Sequence, residues 1–145
     1  AHRVQAQILR VPGIYAGDRL PIDRISRQSP ALVSSEDVYT NHIHADDLAR
    51  LITYVLSRGK AQRIMNACDD SDMLMGDYFD LVAQAFDLPK SPRVTRQALQ
   101  GLVEPMTLSF MSESRRIQNH RLSEVRFNLN YPTVADFLKT TSKCP

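Results

Sequence analysis

The feature that most constrains this chain is a short apolar run that ends in proline and glycine, within residues 8–17. A run of this length bounded by turn residues is typical of a buried strand. Because Pro12 has no backbone N–H to donate, we expect the strand to stop there. Gly13 and Gly17 follow, and glycine lets a backbone turn or approach a neighbour closely. Ligands of open α/β sheets bind at the carboxyl ends of strands, so this stretch predicts part of a ligand site.

The rest of the chain alternates between short extended segments and amphipathic helices. The clearest helix is predicted over residues 46–56, where five apolar residues recur at helical spacing and share one face. They are Leu48, Leu51, Ile52, Val55 and Leu56. Strands are predicted over residues 31–33, within 38–44, over 63–68 and at 116–117, and helices over 18–25, 78–86, 95–102 and 120–125 and after residue 133. This order predicts an α/β or α+β fold.

Three polar residues are predicted to cap helices. Thr95 is placed to cap a helix that Pro105 stops, and Asn119 a short helix over residues 120–125. Thr133 is followed three residues later by Asp136, the spacing of a capping box. These predictions rest on local sequence alone.

Composition excludes several classes of protein. The 145 residues are 43% hydrophobic, which is typical of a globular domain with a real core. A net charge of +2 gives no strong attraction to nucleic acid or to a membrane surface. Cys68 and Cys144 do not form a disulfide framework, so we expect a reducing, cytoplasmic compartment. The chain begins with alanine and enters a strand almost at once, which favours a fragment of a longer protein.

The histidines at residues 42 and 44 suggest a metal site. Both would share one face of a strand, where they could bind a metal together with a carboxylate. Asp46 and Asp47, however, already serve the start of the predicted helix, because carboxylates favour the positive end of the helix dipole. Since spacing supplies no third ligand, we favour a structural role for His42 and His44 and predict no metal.

Two further polar clusters favour ordinary surface roles. Residues 112–121 are locally basic and could hold phosphates, but Glu113 dilutes the charge and no aromatic residue interleaves. Residues 69–72 lack the glycine and the distant glutamate of a calcium-binding loop, so we predict a polar turn. The chain also contains no glycine-rich phosphate loop and no Tyr-x-x-x-Lys pair.

Five segments occur in an order that identifies a family. They are residues 9–15 (LRVPGIY), 41–49 (NHIHADDLA), 64–67 followed by 76–79, 112–122 and 131–133. In this order they resemble the extended short-chain dehydrogenase/reductases, which are the NAD(P)-dependent epimerase/dehydratase family. The bacterial branch of nucleoside-diphosphate-sugar epimerase-like proteins is the most similar. The resemblance covers nearly the whole chain.

The resemblance implies that this chain is the C-terminal half of such a protein. It implies the C-terminal portion of a Rossmann-like NAD(P)-binding fold, at about residues 1–18 and 40–68, plus a small mixed α/β substrate-binding subdomain, at about residues 19–39 and 69–145. The family's glycine-rich loop and its Ser/Tyr/Lys catalytic set would precede the first residue. We therefore assign no catalytic residue and expect the chain alone to be inactive.

The resemblance also implies site residues. Those that lie against the nicotinamide of NAD or NADP, largely through backbone, are Pro12, Gly13, Ile14 and Tyr15. Those that face the substrate, a sugar nucleotide or a small carbonyl or hydroxyl compound, are Arg19, His42 and Arg115. Two positions depart from the family: Thr40 stands where many nucleotide-sugar members carry arginine, and His42 stands where the bacterial branch tends to have arginine. The substrate class therefore stays open.

An alternative function belongs to a different class. The chain could be a non-catalytic binding or assembly module, which associates with a missing N-terminal half or with copies of itself through an exposed sheet edge. Nucleic-acid binding through Arg115, Arg116 and Arg121 is the weakest hypothesis, and we expect neither a nucleic-acid nor a membrane partner.

Overall fold

The structure is a computed structural model that describes residues 6–141. Within that range the strands are β1 (Gln7–Arg10), β2 (Gly13–Tyr15), β3 (Ala31–Leu32), β4 (Tyr39–Thr40), β5 (His42–His44), β6 (Arg63–Asn66), β7 (Met73–Leu74) and β8 (Arg93–Val94). The α-helices are α1 (Ile22–Ser26), α2 (Ala45–Arg58), α3 (Met75–Ala85), α4 (Arg96–Leu99), α5 (Pro105–Phe110) and α6 (Val134–Thr141), and His120–Val125 forms a 3₁₀ helix. The mixed α/β class predicted from the sequence is confirmed.

The chain divides into two compact units. In the described range, unit 1 contains residues 6–19, 41–71 and 117–136, and unit 2 contains residues 20–40, 72–116 and 137–141. Residues 69–71 and 117–136, which the sequence predicts among the substrate-binding segments, lie in unit 1. The roles of the segments in binding cofactor and substrate stay a prediction.

Unit 1 contains two parallel strand pairs. β1 pairs with β6, so that Ile8 stands opposite Ile64, and β2 pairs with β5, so that Gly13 stands opposite His42. The first strand ends before Pro12, as predicted. The sequence did not predict that a second strand begins at once at Gly13. As a result, the carboxyl ends of β2 and β5 lie side by side.

The hydrophobic core of unit 1 packs α2 and the 3₁₀ helix against these strands. Its buried members are Ile43, Leu51, Val55, Met65, Ala67, Leu122, Val125 and Phe127. The predicted apolar face of α2 is only partly correct, because Ile52 and Leu56 are 43% and 80% exposed. The stripe that α2 buries is narrower than the spacing of its apolar residues suggested.

Unit 2 combines a parallel pair, β3 with β8, and an antiparallel pair, β4 with β7. Its core contains Leu32, Leu99 and Met111. The Arg93 guanidinium donates to the Leu32 carbonyl at 3.1 Å and to the Asp80 carboxylate at 3.0 Å. This fork ties β8 to β3 and to α3.

Helix ends confirm some local predictions and overturn others. The Thr95 hydroxyl accepts from the Ala98 N–H, and the Thr133 hydroxyl accepts from the Asp136 N–H at 3.1 Å. Pro105 does not stop a helix; it begins α5, where a proline without an N–H is tolerated. Residues 116–117 form no strand, and Cys144 lies outside the described residues. No helix in the described part of the chain has the length and apolar character that crossing a membrane requires.

Candidate functional site

The predicted cofactor-contacting residues lie at the start of β2 and along it. Gly13 and Ile14 are exposed, Pro12 is half-buried, and the Tyr15 side chain is 1% exposed. The Gly13 N–H donates to the Asn41 carbonyl at 3.1 Å, which joins the start of β2 to the start of β5. Gly13 and Ile14 are therefore accessible on β2, whereas Tyr15 is buried.

Gly13 stands where little room is left for a side chain. A Cβ atom at this position would lie 3.2 Å from His42 Cδ2 and 3.3 Å from the Asn41 carbonyl oxygen. Gly17, by contrast, has no atom within 4 Å of such a Cβ. The close approach of the His42 side chain and the Asn41 carbonyl, rather than an unusual backbone angle, therefore favours glycine at position 13.

Aromatic rings pack around Tyr15, at the carboxyl end of β2. The Tyr15 ring meets the rings of His42 and His44 edge-on, with centroids 6.2 Å and 5.2 Å apart. The Tyr131 ring also contacts His44, with ring centroids 4.2 Å apart. This group joins β2, β5 and the segment before α6 at one place.

The two histidines are buried and favour the neutral form. Burial lowers the pKa of His42 to about 4. Burial also lowers the pKa of His44, against the opposing effect of the Asp46 and Asp47 carboxylates. His44 Nδ1 accepts from the Asp46 N–H at 3.2 Å and so caps α2. His44, which the sequence offered as a candidate metal ligand, thus acts as a helix cap. Within residues 6–141, no group of three His, Cys, Asp or Glu residues is arranged to hold a metal ion.

Asp69 is a buried carboxyl group just beyond β6. It is 4% exposed, its N–H donates to the His42 carbonyl at 2.7 Å, and its Oδ1 accepts from the Ser71 N–H at 2.9 Å. Burial raises its pKa to about 6, although its hydrogen bonds with Ser71 act in the opposite direction. The sequence predicts only a polar turn at Asp69, whereas the structure buries its side chain.

Asp47 is a second buried carboxylate, and its contacts reach beyond the helix start that the sequence predicts for it. It is 0% exposed and accepts from three donors, which are the Arg50 guanidinium at 2.6 Å and the backbone N–H groups of Asn130 and Tyr131, each at 2.9 Å. It therefore holds the segment that carries Tyr131 against the first turn of α2. The sequence indicates that Asp47 lies at the start of a helix, but it does not indicate that Asn130 and Tyr131 are its partners.

The predicted substrate-facing residues are not all in one unit. His42 is buried beside Gly13, and Arg19 is exposed in the turn after β2, both in unit 1. Arg115 is exposed in unit 2 and pairs with Glu113 at 2.9 Å. The other arginines of the basic stretch are also paired, Arg116 with Asp72 and Arg121 with Glu124.

Polar side chains lie at the carboxyl ends of β2 and β5 and just beyond β6. Tyr15 ends β2, His44 ends β5, and Asp69 follows β6, whereas His42 begins β5. The rule that ligands of α/β sheets bind at strand ends could have pointed to Asp69 as it pointed to Tyr15. The arrangement combines the exposed residues Gly13 and Ile14 with buried polar side chains.

We compared the chain with family models, curated proteins and solved structures. No family model and no curated protein matches the chain. Among solved structures, a conserved protein of unknown function from Silicibacter pomeroyi is 26% identical, with a TM-score of 0.79, and the match covers 94% of this chain and 47% of that one. A human epimerase family protein, solved with NADPH, is 13% identical, with a TM-score of 0.74 and coverage of 94% and 48%.

A third solved structure, a nucleoside-diphosphate-sugar epimerase from Pseudomonas aeruginosa, is 14% identical, with a TM-score of 0.73 and coverage of 94% and 46%. The chain therefore spans about half the length of the solved structures it matches. The resemblance inferred from the sequence is confirmed at the level of the fold: this chain has the Rossmann-like fold of NAD(P)-dependent epimerase and dehydratase structures over about half of their length.

Proposed function

We propose that this chain is the substrate-binding portion of an NAD(P)-dependent oxidoreductase or epimerase and also contributes one side of its cofactor cleft. The observation that carries this proposal is the fold match over 94% of the chain to an epimerase family protein solved with NADPH. The protein that contains this chain would act on a sugar nucleotide or on a small carbonyl or hydroxyl compound in the cytoplasm. A bound nicotinamide would accept or donate a hydride.

In this proposal the exposed backbone of β2 contacts the nicotinamide. Pro12, Gly13, Ile14 and Tyr15 supply the contact surface, and the missing side chain at Gly13 lets β2 lie close to Asn41 and His42. NAD and NADP both fit this part of the site, because the groups that distinguish them bind near the end of another strand. The buried rings behind Tyr15 keep the surface in place.

The substrate-facing roles fall to Arg19, His42 and Arg115. An arginine fork suits a phosphate or carboxylate, and Arg19 is exposed in the turn after β2. Because the pKa of His42 is lowered to about 4, it would meet a substrate at neutral pH as an uncharged imidazole. Arg115 would have to exchange Glu113 for a substrate group.

The chain alone would not be catalytically competent. It contains neither a glycine-rich phosphate loop nor a Tyr-x-x-x-Lys pair, the elements that the family uses to bind the dinucleotide and move protons. A further polypeptide segment would supply them. The roles of this chain are to bind and to orient.

The test is to add NADH to the isotopically labelled 145-residue chain and follow backbone amides by NMR. We expect weak binding that shifts the amides of Gly13 and Ile14, and no turnover with sugar nucleotides. A Gly13→Ala variant should lose this response, whereas Gly17→Ala, with open space around its Cβ, should keep it. Turnover by the chain alone, or shifts confined to residues away from β2, would contradict the proposal.

A second candidate function is assembly through the outer face of unit 1. Ile8 and Ile64 stand opposite each other on β1 and β6 and are 53% and 40% exposed, and Val11 is 42% exposed. Neighbouring exposed apolar side chains on short strands favour association. The occupant would be the remaining half of the fold or a second copy of the chain.

Gel filtration with light scattering tests this candidate. Ile8→Lys should shift an associated species toward monomer, because it places a charge within the apolar face. Leu102→Lys is the matched control, since Leu102 is 62% exposed in unit 2. A clean monomer for the unmodified chain, with no affinity for a complementing half, would exclude the assembly role.

A further inference from the structure

The outer face of α2 carries apolar side chains that the core of unit 1 leaves uncovered. Ile52 and Leu56 are 43% and 80% exposed, and Ala49 is also exposed. Because residues three and four apart share one face of a helix, these side chains form a row together with Ala45. We call these four residues the α2 row. Their spacing is that of the seam which one helix presents to another in a coiled coil.

The hydroxyl groups beside the α2 row already have acceptors within the helix. The Thr53 hydroxyl donates to the Arg50 carbonyl at 2.7 Å, and the Ser57 hydroxyl donates to the Thr53 carbonyl at 3.0 Å. A second surface could therefore cover both hydroxyls without leaving a buried donor unpaired, which is the main cost of burying such groups. This face of α2 can be covered at a low cost in hydrogen bonds.

The two ends of α2 carry opposite charges. Asp46 lies in the first turn with a side-chain exposure of 74%, and Lys60 is exposed just beyond the last helical residue, Arg58. A second copy of α2 that lies antiparallel brings the acidic end of each helix to the basic end of the other, and the two helix dipoles then oppose each other. A parallel copy would instead place Asp46 beside Asp46 and align the dipoles. Charge therefore favours the antiparallel arrangement.

The side chains of the α2 row also fit an antiparallel copy. With a two-fold axis near Ile52, Leu56 of one helix lies at the height of Ala49 of the other, because each residue advances the helix by about 1.5 Å. The most exposed side chain of the row thus meets one of the smallest, and Ile52 meets its own copy. Such an arrangement uses the same patch on both chains and closes as a dimer.

We propose that the outer face of α2 is a self-association surface, on which a second copy of this chain binds antiparallel through the α2 row. A single helix pair is a small interface, and small interfaces form weak, reversible complexes. The surface differs from the one on β1 and β6. Met65 packs with α2 in the core, so Ile64 and its partner Ile8 point away from α2.

Sedimentation analysis of the 145-residue chain at low salt, from roughly 10 to 500 μM, measures the dimer dissociation constant. We expect a monomer–dimer equilibrium within that range. Leu56→Glu should raise the constant by about tenfold or more, because it places a carboxylate in both of the equivalent contacts. Leu102→Glu is the matched control, at a side chain that is 62% exposed in unit 2, and should leave the constant unchanged.

Charge reversal tests the antiparallel geometry. Asp46→Lys should raise the dissociation constant by about tenfold at low salt, because two attractive pairs become repulsive. Combining it with Lys60→Asp should restore the constant. A chain that stays monomeric at every concentration overturns the proposal, as does a dimer that Leu56→Glu leaves intact or a charge reversal that the double variant does not rescue.

A further variant separates this dimer from assembly through β1 and β6. Ile8→Lys alters only the face of β1 and should leave the α2 dimer intact. Association that Ile8→Lys abolishes and Leu56→Glu does not would overturn the proposal and support the β1 and β6 surface. Neither result bears on the cofactor role of β2, because the α2 row contains none of its residues.

Discussion

Replacing Asp47 with asparagine tests the structural reasoning most directly. The Asp47 carboxylate is fully buried, and its acceptors meet one guanidinium and two backbone N–H groups. Asparagine has nearly the same shape but carries one oxygen instead of two. One of the three donors would then face an NH₂ group, and Arg50 would lose its ion-pair partner.

The magnitude follows from these contacts. A hydrogen bond to a charged group contributes about 1.5–3 kcal/mol, and a buried donor without an acceptor costs about 1–3 kcal/mol. Arg50 is partly exposed, with a side-chain exposure of 35%, so water would replace some of the lost ion pair. We therefore expect Asp47→Asn to lower the free energy of unfolding by about 2–4 kcal/mol, a large part of the roughly 5–15 kcal/mol typical of a domain.

Urea denaturation followed by circular dichroism measures the loss, and amide hydrogen exchange locates it. The amides of Asn130 and Tyr131 should lose protection first, because they donate to Asp47. Asp46→Asn is the matched control: it is the same substitution one residue earlier, at a side chain that is 74% exposed. If the two variants are equally stable, or if Asn130 and Tyr131 keep their protection in Asp47→Asn, the proposed anchoring role is wrong.

Three further predictions concern pH, packing and the unit 2 ion pairs. Between about pH 4 and pH 6.5, His42 binds more protons in the unfolded state than in the folded state, so its contribution to stability falls as pH falls. Between about pH 4 and pH 6, Asp69 binds more protons in the folded state than in the unfolded state, so its contribution to stability rises as pH falls. Each effect is at most about 3 kcal/mol. Relative to the unmodified chain, Asp69→Asn should lose stability and His42→Gln should gain it as pH falls through this window in urea titrations, and parallel pH profiles would contradict this. Gly13→Ala should cost about 1–3 kcal/mol through crowding against β5, and Gly17→Ala close to nothing, in thermal melts; equal melting temperatures would refute the packing argument. Arg93→Lys keeps the charge but loses the fork, and should cost about 1–2 kcal/mol in urea denaturation; unchanged stability would show that the fork is not needed.

Predictions that depend on neighbours in sequence were confirmed most often. The proline at position 12 ends β1 because the missing N–H is a property of the residue itself. The apolar spacing of residues 46–56 predicted α2, and Thr133 caps α6 because its partner is only three residues away. These signals are local, so no knowledge of the packing was needed.

Predictions failed where a distant partner competes for the same group. Asn119 was expected to cap the 3₁₀ helix, but its side-chain amide donates to the Cys68 carbonyl and to Asp70, each at 2.8 Å. Ile52 and Leu56 have the spacing of core residues, yet they are exposed because the packing partners of α2 cover a narrower stripe. At Asn119 and on α2, tertiary contacts therefore override the preference that the local sequence indicates.

The sequence by itself determined the fold class, the strand end at Pro12 and the family resemblance, since each depends on residue types in a local order. Only the tertiary structure decided that β2 follows immediately after Pro12 and that Asp69, just beyond β6, is buried. It also decided that Asp47 holds residues that lie 83 and 84 positions further along the chain. Burial and hydrogen bonding between distant segments set these features, because a carboxylate finds its donors in space and its sequence neighbours do not reveal them.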